Sequence, residues 1–173
     1  MATYDFGAGT PSDFTVGHAL AMLARGADEA SFDTEGPDVD AEGTLWGGNL
    51  TMIASLAGTP YMPRVDGGIL FVEDVSEHPY RVERMLHQLH YAGILARQRA
   101  ILVGAFTGYE LAPQDNGYDL DAALAHLRDV CRVPIGTGLP FGHVRDKLTL
   151  PVGGRARLAV RGGAARLAME DGR

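Results

Sequence analysis

The stretch from Gly68 to Leu95 constrains this chain more than any other. Ile69 to Val72 is an unbroken apolar run, the pattern of a strand covered on both faces, as in a parallel sheet. The run stops at two acids, Glu73 and Asp74. After a short turn comes Pro79, which suits a first helical position. Val82, Met85, Leu86 and Leu89 then recur at i, i+3, i+4 and i+7, one stripe of an amphipathic helix. The stretch therefore predicts strand, acids, turn, helix. In open α/β sheets ligands collect beyond the carboxyl ends of strands, where Glu73 and Asp74 fall. Taken alone, the two acids are also ordinary for a solvated turn or a helix-capping cluster.

The rest of the chain continues the alternation. Residues 1–12 are Gly-rich and aperiodic and predict a loop. Ser12 or Asp13 suits the cap of a helix carrying Val16, Leu20 and Leu23 on one face and ending near Gly26. Gly36-Pro37 is a turn signal with room for a short strand on either side. Asn49 is positioned to cap a helix over Leu50 to Leu56, and Gly47 and Gly48 permit a tight turn or a close backbone approach. Ser76 suits the cap of the central helix. Ala100 to Phe106 reads as a second buried strand, and residues 107–118 as a turn-rich loop. Asp119 caps a helix with Leu120, Leu124, Leu127 and Val130 on its apolar face. Val133 to Leu139 predicts a third strand, and residues 140–146 a loop. Lys147 to Val152, Arg155 to Val160 and Ala164 to Met169 read as strands, the last two as a hairpin around Gly162-Gly163. The order is α/β with a β-rich C-terminal end.

Charge and apolar pattern exclude several classes of function. The formal net charge is -7, and seven acids lie between Asp28 and Glu42 with no Lys or Arg among them. A nucleic-acid surface needs a basic face. No apolar run approaches the roughly 18–20 residues of a membrane span. Met1 to Gly7 has neither the basic nor the apolar region of a secretory signal. Cys131 is the single cysteine; it ends an apolar helical stripe and reads as a buried structural thiol.

Two groups of residues could carry chemistry. His87 and His90 lie at i, i+3 on the central helix, with Glu83 one turn earlier, a set able to ligate zinc. The spacing is not that of a recognised zinc helix and no further ligand cluster accompanies it, so the expectation is a solvated helix face and no metal. His143 stands in Gly138-Leu-Pro-Phe-Gly-His143, after a predicted strand, where a general base could sit. A carboxylate bonded to one ring nitrogen fixes the tautomer of a catalytic His, and Glu73 is the candidate. The serines are Ser12, Ser31, Ser55 and Ser76, none in a strained Gly-x-Ser-x-Gly elbow. The residues thus offer an acid and a base without a nucleophile.

Several segments together resemble the LD-carboxypeptidases, the muramoyltetrapeptide carboxypeptidase family of serine peptidases. They are Gly43-Thr-Leu-Trp-Gly-Gly-Asn-Leu50, Gly58-Thr-Pro-Tyr-Met-Pro63, Glu73 to Leu86, Gly138-Leu-Pro-Phe-Gly-His143 and Leu150-Pro-Val-Gly153. The resemblance is to the C-terminal domain of such enzymes. It implies an α/β fold of swivelling β/α type, with a small mostly parallel sheet, flanking helices and a β-rich end, as one domain over 1–173 with 1–26 as a lead-in segment. It further implies a cytoplasmic, homodimeric enzyme of cell-wall recycling that removes the terminal D-alanine from murein tetrapeptides, using a Ser-Glu-His triad and no metal or other cofactor. Glu73 and His143 match the triad acid and base. Trp46 and Asn49 are the substrate-binding candidates. The family's serine belongs to an N-terminal nucleophile domain, in a Gly-x-Ser-Asp turn that nothing here matches, so the isolated chain is expected to be inactive.

Two alternatives stay open on sequence. One is a domain of the related microcin-immunity type of serine peptidase, which uses the same triad. The other is a non-catalytic module that binds wall peptides or holds a dimer together. An in-frame Gly-x-Ser-Asp segment upstream of Met1 would favour an enzyme.

Overall fold

Alternating apolar runs and capped amphipathic stripes build a layered α/β structure. The computed structural model describes residues 3–7 and 9–172. Helices α1 (Thr3–Gly7) and α2 (Asp13–Arg25) precede strands β1 (Ala27–Asp33) and β2 (Val39–Asn49). Then follow α3 (Leu50–Leu56), β3 (Ile69–Val75), α4 (Pro79–Tyr91), β4 (Ala100–Thr107), α5 (Leu120–Val130), β5 (Ile135–Gly136), β6 (Arg155–Arg161) and β7 (Ala164–Glu170). The caps are those the sequence chemistry favours. Ser12 accepts from the Thr15 amide, Asn49 from Met52 and Asp119 from Ala122. Pro79 opens α4.

The strands form one seven-stranded sheet in the order β1-β7-β6-β2-β3-β4-β5. Strand β2 joins two regimes. Its first half, Val39 to Thr44, runs antiparallel to β6, and its second half, Leu45 to Asn49, runs parallel to β3. Strands β3 and β4, and β4 and β5, are also parallel. The β6–β7 hairpin turns at Gly162 and Gly163, whose φ values of 57° and 84° are those a tight two-residue turn requires.

Alternation along β3 sorts its side chains between two cores. Leu70 and Val72 join Trp46, α3, α4 and α5 on one face. Ile69 and Phe71 join Leu45, Met22 of α2 and the inward residues of β6 and β7 on the other. Full burial of each Leu or Ile here contributes about 1.5–3 kcal/mol. Cys131 is buried in the helix-side core.

Four local expectations are corrected. A short helix, α1, stands within the predicted 1–12 loop. In α2 the buried side is Thr15, Ala19 and Met22, while Leu20 and Leu23 are 59% and 68% exposed. Small Ala19 and hydrogen-bonding Thr15 permit closer approach than the large apolar stripe would. Residues 147–152 form no strand; they run as an irregular segment with Leu148 buried. The N-cap of α4 is His78, not Ser76, which takes a left-handed φ of 61° in the preceding turn.

Candidate active site

The carboxyl end of β3 is where the two acids part company. Glu73 and Asp74 are both buried, at 5% and 3% exposure. Asp74 turns to the helix face. It accepts from Asn49 Nδ2 at 2.7 Å, from the Thr51 amide and hydroxyl at 2.9 and 2.8 Å, and from its neighbour's amide, Val75 N, at 2.9 Å. With its lone pairs so occupied, it fastens the end of β3 to the start of α3.

Glu73 turns the other way and meets His143, whose Nδ1 lies 2.9 Å from Oε2. The Glu73 side chain is 7% exposed and that of His143 56%. An ionised carboxylate can only accept, so the contact sets Nδ1–H as donor and leaves Nε2 with its lone pair. Among the described residues Nε2 has no hydrogen-bond partner. The second oxygen, Oε1, lies 3.5 Å from Asn49 Nδ2.

A β-bulge helps to aim Glu73. Val72 pairs with Val103 and Asp74 with Phe106, so Glu73 faces both Gly104 and Ala105 of β4. Such bulges re-aim a side chain at a sheet end. The segment carrying His143 then lies across β4. Leu139 N donates to Val103 O and Ala105 N donates to Phe141 O. A Cβ on Gly104 would stand 2.6 Å from Phe141 O. Gly142 has a φ of 125°, and a Cβ there would come within 3.1 Å of Glu73 Oε2. The Phe141 ring meets Phe71 edge to face, at 5.0 Å between centroids.

The segment after His143 is held by the N-terminal helices. Thr15 Oγ1 donates to Arg145 O at 2.9 Å and accepts from Lys147 N at 3.0 Å. Ser12 Oγ donates to Asp146. Lys147 Nζ pairs with Asp5 at 2.8 Å. His143 stands between two hollows of about 540 Å³ each, one lined by Asp5, Thr10, Ser12 and Lys147, the other by Glu73, Phe141, Leu150 and Val152. Gly142 was visible in sequence as a glycine beside the histidine; Thr15 gave no signal, being one polar residue in a helical stripe.

The structure thus brings Glu73, His143 and Asn49 together. It does not bring Trp46 to them. The indole lies in the helix-side core, 5% exposed, and donates from Nε1 to Gln98 Oε1 at 2.8 Å. The serines are engaged elsewhere or exposed: Ser12 in its cap, Ser55 bonded to Met52 O on α3, Ser31 on the outer side of β1. The arrangement can hold a histidine as a general base toward a group presented from outside.

Residues 42–158 match the family described as LD-carboxypeptidase C-terminal domain. The murein tetrapeptide carboxypeptidase of Pseudomonas aeruginosa is 39% identical over 119 residues, covering 68% of this chain and 38% of that protein. The chain spans less than two-fifths of the length of such curated relatives. The crystal structure of muramoyltetrapeptide carboxypeptidase from Oxalobacter formigenes superposes with a TM-score of 0.92 at 53% identity, over 96% of this chain and 58% of that one. An MccF-like protein from Bacillus anthracis superposes with a TM-score of 0.79 at 22% identity, over 96% of this chain and 58% of that one, which shows a shared fold alone.

Proposed function

Because the chain belongs to the LD-carboxypeptidase family, as a C-terminal domain of it, we propose that it supplies the general base and its orienting acid to a serine peptidase of murein tetrapeptides. The observation that carries this reading is the 2.9 Å contact between buried Glu73 and exposed His143 at the carboxyl end of a parallel strand. His143 Nε2 takes the proton of a serine hydroxyl presented by a domain outside this chain. The serine oxygen attacks the carbonyl of the L,D peptide bond. The bond to the terminal D-alanine breaks, and its amine leaves with the proton from the imidazolium. Water, deprotonated by His143, then releases the shortened peptide. Glu73 holds the ring and stabilises its charged form. Asn49, 3.5 Å from Glu73 Oε1, belongs to the same site. The reading carries with it a cytoplasmic homodimer and an inactive isolated chain.

The test joins this chain to the N-terminal part of the Oxalobacter relative and measures D-alanine released from murein tetrapeptide. Release by the joined protein, absent from the chain alone and abolished by His143→Ala, is the expected result. Loss of the triad's serine or histidine typically costs on the order of a millionfold in turnover. Release by the chain alone that His143→Ala leaves intact would refute it. The fold likeness to the MccF-like protein gives the microcin-immunity alternative no separate support.

A further inference from the structure

On the helix face of the sheet, away from Glu73 and His143, α4 and α5 pack side by side. Glu83 and His87 sit one turn apart on α4, and His126 faces them from α5. His126 Nδ1 lies 2.7 Å from Glu83 Oε1, and His87 Nε2 lies 3.9 Å from the same oxygen. One donor atom from each of the three residues falls within 4.8 Å of the other two. The rings of His87 and His126 are 4.9 Å apart between centroids.

His87 gives the arrangement its meaning. Its side chain is 12% exposed, and both ring nitrogens are buried without a hydrogen-bond partner among the described residues. Buried polar atoms are nearly always satisfied, and an orphan is a mark of a missing water or ion. His90, the partner that spacing on one helix would choose, stands off with its ring centroid 6.4 Å from that of His87. The third ligand comes from the neighbouring helix, and only the tertiary fold could supply it.

We propose that Glu83, His87 and His126 form a zinc site that clamps α4 to α5. Two imidazoles and a carboxylate suit Zn²⁺ and disfavour the oxygen-seeking Ca²⁺ and Mg²⁺. Tetrahedral bonds of about 2.0–2.1 Å set donors about 3.4 Å apart. The side chain of His126 is 56% exposed and that of Glu83 24% exposed, so both can rotate to close the remaining gap. The fourth position opens to solvent beside His126 and takes water. The site has no part in peptide cleavage. It ties together the helices that cover the strand ending in Glu73.

The experiment is a titration of the purified, chelator-stripped chain with Zn²⁺, followed by calorimetry and by competition with a chromophoric chelator. One zinc per chain is expected, with a raised melting temperature. His126→Ala lies on the surface and should keep the fold, as circular dichroism would verify. It should weaken binding at least about tenfold, because loss of even an outer-shell partner of a ligand typically costs 10–100-fold. Glu83→Gln should do the same, while His90→Gln and His143→Ala should bind as the parent does. Co²⁺ in place of zinc should give visible bands without a thiolate charge-transfer band. No saturable binding, binding that survives both His126→Ala and Glu83→Gln, or binding lost in His143→Ala would each overturn the proposal.

Discussion

Exchanging Glu73 for glutamine changes two atoms' worth of chemistry and keeps the shape. The consequence can be worked from the neighbours. Glu73 Oε1 faces the Asn49 amide, and Oε2 faces His143 Nδ1. In Glu73→Gln the carbonyl oxygen settles toward the Asn49 donor, which places the new NH₂ against His143. Nδ1 must then accept, so the ring proton moves to Nε2, the nitrogen that has to be free as base. The imidazolium also loses its anionic partner. The corresponding exchange in another serine peptidase lowers turnover about 10⁴-fold, or about 5.5 kcal/mol of activation free energy. A loss of that order in D-alanine release is expected from the protein joined to a nucleophile domain, with an unchanged melting profile. In the chain alone, nitrogen-15 NMR of the imidazole should show His143 switching tautomer. Turnover within about tenfold of the parent, or an unswitched tautomer in a folded variant, would refute the orienting role of Glu73.

Asp74→Asn should do the reverse. Its loss leaves the Thr51 amide and hydroxyl facing a donor, which costs about 1–3 kcal/mol of stability, measured by denaturant unfolding, with a smaller effect on turnover than Glu73→Gln. Thr15→Val keeps the shape of a side chain that is 1% exposed but strips Arg145 O and Lys147 N of their partner. A loss of about 1–3 kcal/mol is expected, together with reduced turnover in the joined protein; full activity would show that the clamp does not position His143. Burial, then the nearby Glu83 carboxylate, pushes the Tyr118 phenol up, and burial, then Asp119, raises Tyr109. Both favour the neutral phenol in the folded state. Their stability is therefore present below the unfolded phenol pKa of about 10 and is lost as pH rises through the higher folded values. In an absorbance titration two of the six tyrosines should ionise late, and a single step near pH 10 with the fold intact would contradict this.

Much of the site was legible because it obeys local rules. The apolar run into Glu73 and Asp74 defined a buried strand, and period-two alternation sent the two acids to opposite faces. The Gly-Pro frame around His143 marked a shaped loop. What stayed hidden depends on tertiary contact. Nothing in residues 13–25 says that Thr15 and Ala19 rather than Leu20 and Leu23 face inward, because the choice is made by the backbone of residues 145–147. Leu148, Leu150 and Val152 alternate as a strand would, yet no neighbouring edge pairs with them. Trp46 sat in a functional-looking motif, but an indole with a buried acceptor at Gln98 is stable in a core. His126 lies 39 residues beyond His87 in the sequence, and only the packing of α5 on α4 joins them.

The divided pairing of β2 bears on how this protein comes apart. Thr44 pairs in register with Arg155, and Leu45, the next residue, with Ile69. A single backbone segment is thus the inner edge of two sub-sheets whose other members are far apart in sequence. Neither the parallel half nor the antiparallel half can open by itself without stripping one end of β2 of its ladder. Amide protons around Thr44 to Trp46 should therefore exchange with solvent only when the whole molecule unfolds. Because those ladders close loops more than 100 residues long between Thr44 and Arg155, the strand that couples the halves is also the one whose pairing is slowest to be found.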